Sequence, residues 1–530
     1  MAKTHYDVCV VGSGASGGTL AADLARRGVK VCLIEGGPRR PPNKLTSHRM
    51  PYEHKGLGVP PVRADSAKEP YEVVGDKIQI TRARVFGGRT THWNAVALRF
   101  AANDFRESRH GLEEDWPISY SEIEPYYDRA EKLMVICGSK ENLEVLPDGN
   151  FIPALPLRCS EQILKKASRK FGIHLIPVRK ALASVAGHGR SNCHFCGHCM
   201  DGCGVSAIFN TAEHALPAGV ESGNLDLRIG WMAHELIPDD EGRIRAARIV
   251  KTYEGDEEEI QADAFVLCCG NIETPRLLLN SKSRRFPNGL ANNGDNVGRY
   301  LHGHIIAQTA GYLRDLVGTD PGNRDGAIDH AYIPWFKPYR KVDFVGGYGF
   351  QVNIRPYHYP YHASRLKGYG GQWKTRVREL QSGFSNIAGY GKVIAQRENR
   401  VTLHPTKKDK NGLPIPVVHF KWHENDLAQF RDMRIVAREI YDEAGVEFLY
   451  HNNDTPSGFA SHEVGVCRMG KDPKTSVLNK DNRAWEVPNL FVTDASSFTT
   501  FPEKNPTLTI TALALRTADR IVDLKARGEL

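Results

Sequence analysis

The sequence has 530 residues, 41% of them apolar and 25% charged, ordinary values for a folded chain of two to four units with a large core. The net charge of +8 is spread along the chain without a dense Lys/Arg block, which argues against nucleic-acid binding. No window nears the roughly 18 uninterrupted apolar residues of a membrane-spanning helix, so an integral membrane protein is not expected. No charged n-region precedes an apolar h-region near Met1, and no twin-arginine leader is seen there. A cytoplasmic location is expected, or a periplasmic one reached by co-export with a partner subunit.

Residues 6–37 read YDVCVVGSGASGGTLAADLARRGVKVCLIEGG. Tyr6–Val11 has the β-branched character of a buried parallel strand. Gly12, Gly14 and Gly17 form G-x-G-x-x-G, with Ser16 between the last two. Thr19–Arg27 is Ala/Leu-rich at helical spacing and stops at Gly28. Val29–Ile34 is a second strand, and Glu35 ends it. This order suits a dinucleotide. Gly12 allows the turn out of the strand, Gly14 lets a pyrophosphate approach the backbone, and Gly17 lets the helix pack on the strand. The helix N-terminus faces the phosphates, and a carboxylate at Glu35 can accept from a ribose diol. The motif by itself leaves open FAD against NAD, and the reaction.

Gly36–Asp76 is polar and Pro/Arg-rich without clear periodicity. Thr81–Phe100 returns to strand-like character around Gly87 and Gly88. Ser121, with Glu124 three residues on, is expected to cap a helix running to Glu131, and Ser160 another running to Phe171. Leu225–Ala264 alternates like two or three antiparallel strands around a DDEG turn. Ala264–Gly270 reads as a strand and Glu273–Asn280 as a helix, a second βα unit that joins the first sheet. Residues 310–460 are expected to form a separate, mostly antiparallel sheet with a helix over Asn425–Ala444. Pro488–Asp494 is a last buried strand and Pro506–Leu524 a last helix.

Four of the eleven cysteines crowd into SNCHFCGHCMDGCG, which places Cys193, Cys196, Cys199 and Cys203 as C-x2-C-x2-C-x3-C. That is the spacing of a ferredoxin cluster loop, although Gly204 stands where ferredoxins continue with Pro. A [4Fe–4S] cluster on four ligands and a [3Fe–4S] cluster on three both fit. A zinc site and a pair of disulfides are the alternatives, the latter disfavoured without export. His194 and His198 are expected to point outward. Cys9, Cys32, Cys268 and Cys269 lie in strand-like runs and read as core residues.

Four stretches together resemble the glucose–methanol–choline (GMC) family of FAD oxidoreductases: the N-terminal fingerprint, Gly87–Asn94, Gly270–Leu278 with NVGRYL (296–301), and His462–Leu513. They span nearly the whole chain in family order. The resemblance implies an α/β chain with a Rossmann-like, doubly wound FAD-binding domain built from segments 1–100, 205–310 and 460–530. It implies a helical cover at 101–190, the cysteine loop at 191–204, and an α+β substrate domain with a mostly antiparallel sheet at 311–459. In SHEVGVCRMG (461–470), His462 matches the family's catalytic histidine. In EKNPTLTITALALR (503–516), Asn505 matches the second active-site residue. Oxidising an alcohol requires a base for the hydroxyl proton and a hydride acceptor at flavin N5. Imidazole suits the first task, and Asn505 can hold the substrate oxygen. Asp494 matches an acid near the ribityl chain and pyrophosphate. Gly88, Ala233 and Gly270 match cofactor contacts. Pro506 and Thr507 open a helix whose dipole would face the flavin C2 carbonyl. His302 and His304 are expected to serve packing or the flavin edge.

THW (91–93) resembles pyranose oxidase and, in part, choline oxidase, where the histidine at the His92 offset bonds covalently to the flavin. FAD sugar dehydrogenases have a histidine there without an established link, so covalent and non-covalent FAD both stay open. Asn94 is expected near flavin N5. The branch of sugar dehydrogenases with a [3Fe–4S] cluster has a similar insertion, which implies ligands at Cys193, Cys199 and Cys203, with Cys196 a departure. A cluster passes electrons singly to an external acceptor such as a cytochrome or a quinone-linked partner, and a small subunit would accompany it. Aromatic faces suit pyranose rings, and 332–373 carries Trp335, Phe336, Tyr339, Tyr348, Phe350, Tyr357, Tyr359, Tyr361, Tyr369 and Trp373. The expectation is a cluster-bearing FAD dehydrogenase of a sugar or glycoside. An oxygen-using, pyranose-oxidase-like enzyme with a zinc-bound or empty loop is the alternative, and a non-catalytic flavin redox subunit the second.

Overall fold

A computed structural model describes residues 5–44, 64–111, 113–197, 199–319, 328–353, 366–451, 456–459 and 461–530. His198, Tyr357, Tyr359, Tyr361 and much of Gly36–Asp76 lie outside the described residues.

Two seven-stranded sheets organise the chain. In the first, His5–Val11 pairs in parallel with Val31–Glu35 on one side and with Glu257–Leu267 on the other. Leu225–Ile229 extends it in parallel beyond Val31–Glu35. The Glu257–Leu267 strand is long enough to take two partners along its far edge. Its first half pairs antiparallel with Ile244–Lys251, and its last residues pair in parallel with Leu490–Val492. Val8, Val10, Val31, Leu33, Ala264 and Val266 are fully or almost fully buried, as an apolar parallel sheet covered on both faces requires. The Ala264–Gly270 unit therefore joins the first sheet as expected, by pairing Cys9 with Phe265 and Val11 with Leu267.

The second sheet is antiparallel throughout, in the order Val446–His451, His304–Leu313, Phe384–Lys392, Tyr348–Val352, Ala331–Ile333, Ile176–Pro177. Helix Glu424–Glu443 buries Phe430, Met433, Val436 and Ile440 against it. Gly389 and Gly391 make that approach possible: a Cβ on either would press on Met433.

Three local expectations shift. The helix expected to start at Ser121 spans Tyr120–Met134 and is capped by Ser119, whose N–H and Oγ both reach Glu122. Ser160 lies inside helix Cys159–Arg169, which Arg158 caps. Thr81–Phe100 forms no strand, because Gly87 and Gly88 take φ values of 94° and 57° that end extended backbone; Gly88–Thr91 makes a tight helical turn. Among the described residues no helix is long and apolar enough to cross a membrane.

Candidate active site

The turn after the first strand is built as its glycines suggest. A Cβ at Gly12 would sit 2.5 Å from the Cys268 carbonyl oxygen, and one at Gly17 would run into Gly12 itself. Helix Ala15–Arg26 starts directly after Gly14, four residues before the expected start. Glu35 is buried and closes the turn. Its Oε2 accepts from Ser13 Oγ at 2.6 Å and from Ser13 N at 3.2 Å, and its Oε1 accepts from Gly37 N at 2.7 Å. Burial pushes the carboxyl up, and these donors oppose the shift. Ser13 Oγ also accepts from Gly87 N at 2.9 Å. One hydroxyl thus joins the fingerprint, the acid and the Gly87–Gly88 turn.

From this junction a cavity opens along the ends of the first sheet's strands. Gly12, Gly14, Ser16, Glu35, Gly88, Ala233, Gly270, Asp494, Pro506 and Thr507 all line it. Gly17 does not, being committed to the helix–strand contact. Asp494 Oδ2 accepts from Gly270 N and Thr274 Oγ1, both at 2.7 Å, and so holds the second βα turn open beside the first. Ser16 Oγ lies 2.6 Å from Thr493 Oγ1 and 3.3 Å from Cys268 Sγ, stitching helix to strands. Helix Thr507–Ala526 presents its N-terminus to the cavity through Pro506, Thr507 and Ile510.

Two groups in this wall had been given no role by the sequence. Trp93 and Trp231 supply apolar faces. Arg82, Arg84 and Arg276 surround Glu273, with Arg82 at 2.7 Å. Burial alone would raise the Glu273 carboxyl, but Arg84, Arg276 and Arg82 hold it well below the usual range.

The two expected catalytic residues meet. Asn505 Nδ2 lies 3.2 Å from His462 Nε2. His462 sits between Ser461 and Glu463, which line the cavity. Its loop is strained, with Phe459 and Ser461 at φ values of 70° and 71°. Gly303 admits the loop, since a Cβ there would press on Phe459 and on the His462 carbonyl. Burial, and then the charge of Arg89, push His462 down to about 3, so the ring is neutral and keeps a lone pair at working pH. Behind the pair stand two residues of the second sheet. His304 Nδ1 is 3.0 Å from His462 Nδ1, and Gln351 Nε2 donates to Asn505 Oδ1 at 2.8 Å. His304 thus contacts the His462 ring directly. His302, with Nδ1 2.7 Å from the Tyr300 carbonyl, is a packing residue as expected.

His462 and Asn505 adjoin the cavity through Ser461, Glu463 and Pro506 without lining it themselves, and other expected residues also stand apart from it. Asn94 Nδ2 donates to the buried carboxylate of Asp329 and Asn94 does not line the cavity. His92 is buried with Nδ1 3.2 Å from Thr91 Oγ1, and it too is absent from a wall that includes Gly88, Arg89, Thr90 and Trp93. Among the expected aromatics, Tyr348 and Phe350 are core residues of the second sheet, Phe336 packs on that core, and Tyr369 is exposed. Tyr390 and Phe501 are the rings that flank the histidine pair.

In the cysteine run, backbone N–H groups of Phe195 and Ala207 donate to the sulfurs of Cys193 and Cys203 at 3.4 and 3.2 Å. Cys199 is buried and Cys196 exposed. Among the described residues no disulfide forms, and no three His, Cys, Asp or Glu side chains are gathered to hold a metal ion. The four expected ligands are therefore neighbours in the fold but are not arranged as a ligand set.

Comparison with known proteins places this geometry. The chain is 32% identical to the 2-methyl-1,2-propanediol dehydrogenase of Mycolicibacterium austroafricanum, over 97% of this chain and 95% of that one. It is 28% identical to the fructose dehydrogenase large subunit of Gluconobacter japonicus, over 98% of each. The crystal structure of pyridoxine 4-oxidase from Mesorbium loti shares the fold, with a TM-score of 0.68 at 18% identity over 97% of this chain and 99% of that one. Residues 6–306 match the N-terminal and residues 395–514 the C-terminal profile of GMC oxidoreductases. The chain belongs to the GMC oxidoreductase family, FAD-dependent enzymes that act on the CH–OH groups of alcohols and sugars.

Proposed function

We propose that the chain is a dehydrogenase that oxidises a hydroxyl of a sugar or glycoside to a carbonyl, with His462 as the base. The contact of Asn505 Nδ2 with the neutral His462 ring at 3.2 Å carries the reading. A substrate hydroxyl placed there donates its proton to His462 Nε2 while its oxygen accepts from Asn505 Nδ2. The likeness to a fructose dehydrogenase large subunit supports a sugar, and the likeness to a propanediol dehydrogenase makes a diol the competing substrate class.

The residues fit FAD. Gly14 and Gly88 clear a cradle that side chains would fill, Glu35 waits at the end of the second strand, and the Thr507–Ala526 helix turns its N-terminus inward. When bound, FAD supplies the hydride-accepting ring. The protein's part is to hold the substrate oxygen, take the hydroxyl proton at His462 and close the site with Tyr390 and Phe501.

The cysteine run is proposed as an iron–sulfur site that uses Cys193, Cys199 and Cys203, with or without Cys196. The ferredoxin spacing supports this, as do the N–H donors on Cys193 and Cys203 sulfurs, bonds of the kind that tune such clusters. A cluster would supply one-electron carriage to a partner. A small subunit with a cytochrome or a quinone-linked acceptor suits a chain that resembles the large subunit of a dehydrogenase.

The test is anaerobic mixing of the holoenzyme with sugars, glycosides and diols while flavin absorbance is followed, then reoxidation by oxygen or by dyes. Bleaching by a sugar and fast reoxidation by dyes are expected. His462→Ala should slow bleaching by about 10²–10⁴-fold. Unchanged bleaching in that variant overturns the base assignment, bleaching by diols alone overturns the sugar, and fast reoxidation by oxygen overturns the dehydrogenase.

A further inference from the structure

We propose that His304 and Gln351, both on the second sheet, are positioning residues that fix which atoms of His462 and Asn505 face the substrate. The proposal rests on the reading of His462 as base.

The Pro502 carbonyl can only accept a hydrogen bond, and it lies 2.7 Å from His304 Nε2. The proton of His304 is therefore on Nε2. His304 is fully buried, and burial with the adjacent His462 ring keeps it neutral. Its Nδ1 then carries a lone pair and no proton. That lone pair faces His462 Nδ1 at 3.0 Å, so the proton between the two rings belongs to His462 Nδ1. A neutral His462 with its proton on Nδ1 has a bare Nε2. This is the nitrogen beside Asn505 and the one a base requires.

The amide is set in the same way. Gln351 Nε2 donates to Asn505 Oδ1 at 2.8 Å. The Asn505 carbonyl is thereby turned toward Gln351, and the NH2 toward His462. A hydroxyl entering between them finds one acceptor and one donor, as proton removal with stabilisation of the oxygen demands.

The orienting residues are themselves held. Phe501 stacks on the His304 ring with centroids 4.3 Å apart and planes 15° apart, and Tyr390 meets it edge-on at 5.5 Å. His304 begins the His304–Leu313 strand, and Gln351 lies in Tyr348–Val352, both buried. Without an acceptor at His304, the His462 Nδ1–H would be a buried donor with no partner, and the ring would move its proton to Nε2. The base would then face the substrate with its lone pair on the wrong side, a fault that is severe in enzymes relying on a fixed imidazole tautomer.

The experiment uses flavin-loaded holoenzyme and a sugar that bleaches the wild type. His304→Phe keeps the ring stacked on Phe501 and removes the acceptor. His304→Asn returns an amide oxygen near the Nδ1 position. The limiting rate of flavin reduction and the apparent substrate Kd are measured separately. The rate should fall by about 10- to 100-fold in His304→Phe with little change in Kd, and His304→Asn should recover much of it. Gln351→Leu should lower the rate when Asn505 is present and have no further effect on Asn505→Ala, an independent arm should His304→Phe fail to fold. A wild-type rate in flavin-loaded His304→Phe, equal losses in the Phe and Asn variants, or additive losses in Gln351→Leu/Asn505→Ala would overturn the positioning role. If His462→Ala itself bleaches at the wild-type rate, the base assignment falls first. If only His304→Phe is silent, the base stands and the positioning role falls alone.

Discussion

Arg89 and Glu463 form an ion pair at 2.8 Å, and the Glu463 side chain has no exposed surface. Arg89 also donates to the Ser461 carbonyl at 2.8 Å. One guanidinium from the Gly88–Thr91 turn thus grips the residues on both sides of His462. Since that turn also lines the cavity, His462 and the cavity wall are held as one mechanical unit.

Removing Arg89 leaves Glu463 buried without its partner. Arg89→Met should destabilise the protein by about 1–3 kcal/mol, less than for a fully buried pair because Arg89 is partly exposed, read by denaturant unfolding, and Glu463→Gln in the same chain should recover part of the loss. The variant has a second signature. Arg89 helps to lower the pKa of His462, so its loss should move the acid limb of the flavin-reduction rate to higher pH. An unshifted acid limb in a folded variant would mean that burial alone sets the pKa of the ring.

Gly14 and Gly88 come from distant parts of the sequence and pack backbone to backbone. A Cβ on Gly88, already at φ 57°, would sit 2.8 Å from Gly14 Cα. Gly88→Val should therefore widen the cradle and weaken FAD binding by about 10- to 100-fold, the scale of one strained residue. The measurement is flavin per mole of purified protein and its titration with added FAD. Full flavin occupancy with unchanged affinity would contradict the close approach.

What the sequence made legible is local. The fingerprint could be read because its spacing of glycines and its two apolar runs act within a few residues, and Glu35 follows from the length of one βα unit. His462 and Asn505 were legible only through their motifs, since one histidine among 21 carries no position of its own. Ser13, Arg89 and Gln351, and the contact that His304 makes, escaped for a physical reason. Each acts through a partner that the fold alone brings near, as Arg89 does with Glu463 and Gln351 with Asn505. The Ser119 cap was missed because Ser119 and Ser121 each have a glutamate three residues on, so the local rule is satisfied twice. Only packing selects between them.

Among the described residues, five histidines have strongly lowered pKa values: the buried His302 and His330 at about 4, His462 at about 3 and His304 well below its usual value, and the partly buried His214 at about 4. Unfolding restores each to the ordinary value near 6.5. Between pH 6.5 and about 4 the unfolded chain therefore binds more protons at these sites, and stability falls as pH falls. Asp426, raised to about 7 by burial, works in the opposite direction across this window, and the raised carboxyls of Glu35, Glu107 and Glu503 work with it, so four groups oppose five. Thermal unfolding should show Tm dropping from pH 6.5 toward pH 4. His302→Phe removes one titrating group and should flatten the dependence by about 1.4 kcal/mol per pH unit. An unchanged slope would show that His302 is protonated in the folded protein.

His92 bears on how the flavin is held. Its neighbours Thr90 and Trp93 line the cavity, whereas His92 is buried with Nδ1 against Thr91 Oγ1. A covalent link requires a ring nitrogen turned to the cofactor, whereas Nδ1 here is turned to Thr91 Oγ1, so FAD should be released by acid. Trichloroacetic acid precipitation should give a colourless pellet and a yellow supernatant, and His92→Ala should retain FAD. A yellow pellet that turns colourless in His92→Ala would establish the bond and require the Gly88–Thr91 turn to rotate His92 toward the cofactor.

The cysteine run makes the sharpest demand, because its spacing and its geometry point apart. Ferredoxin spacing implies iron, yet among the described residues no three ligand side chains are gathered. Metal binding and local folding are coupled, so a ligand set that forms only around its metal would reconcile the two. Protein purified anaerobically should contain iron and acid-labile sulfide in amounts matching one cluster per chain. Cys199→Ser should lose both while keeping FAD and anaerobic bleaching by substrate, since Cys199 lies outside the cavity wall. Reoxidation by large one-electron acceptors should slow in the same variant. Zinc in place of iron would reassign the loop to a structural role, and a metal-free protein with unaltered reoxidation would remove the cluster altogether.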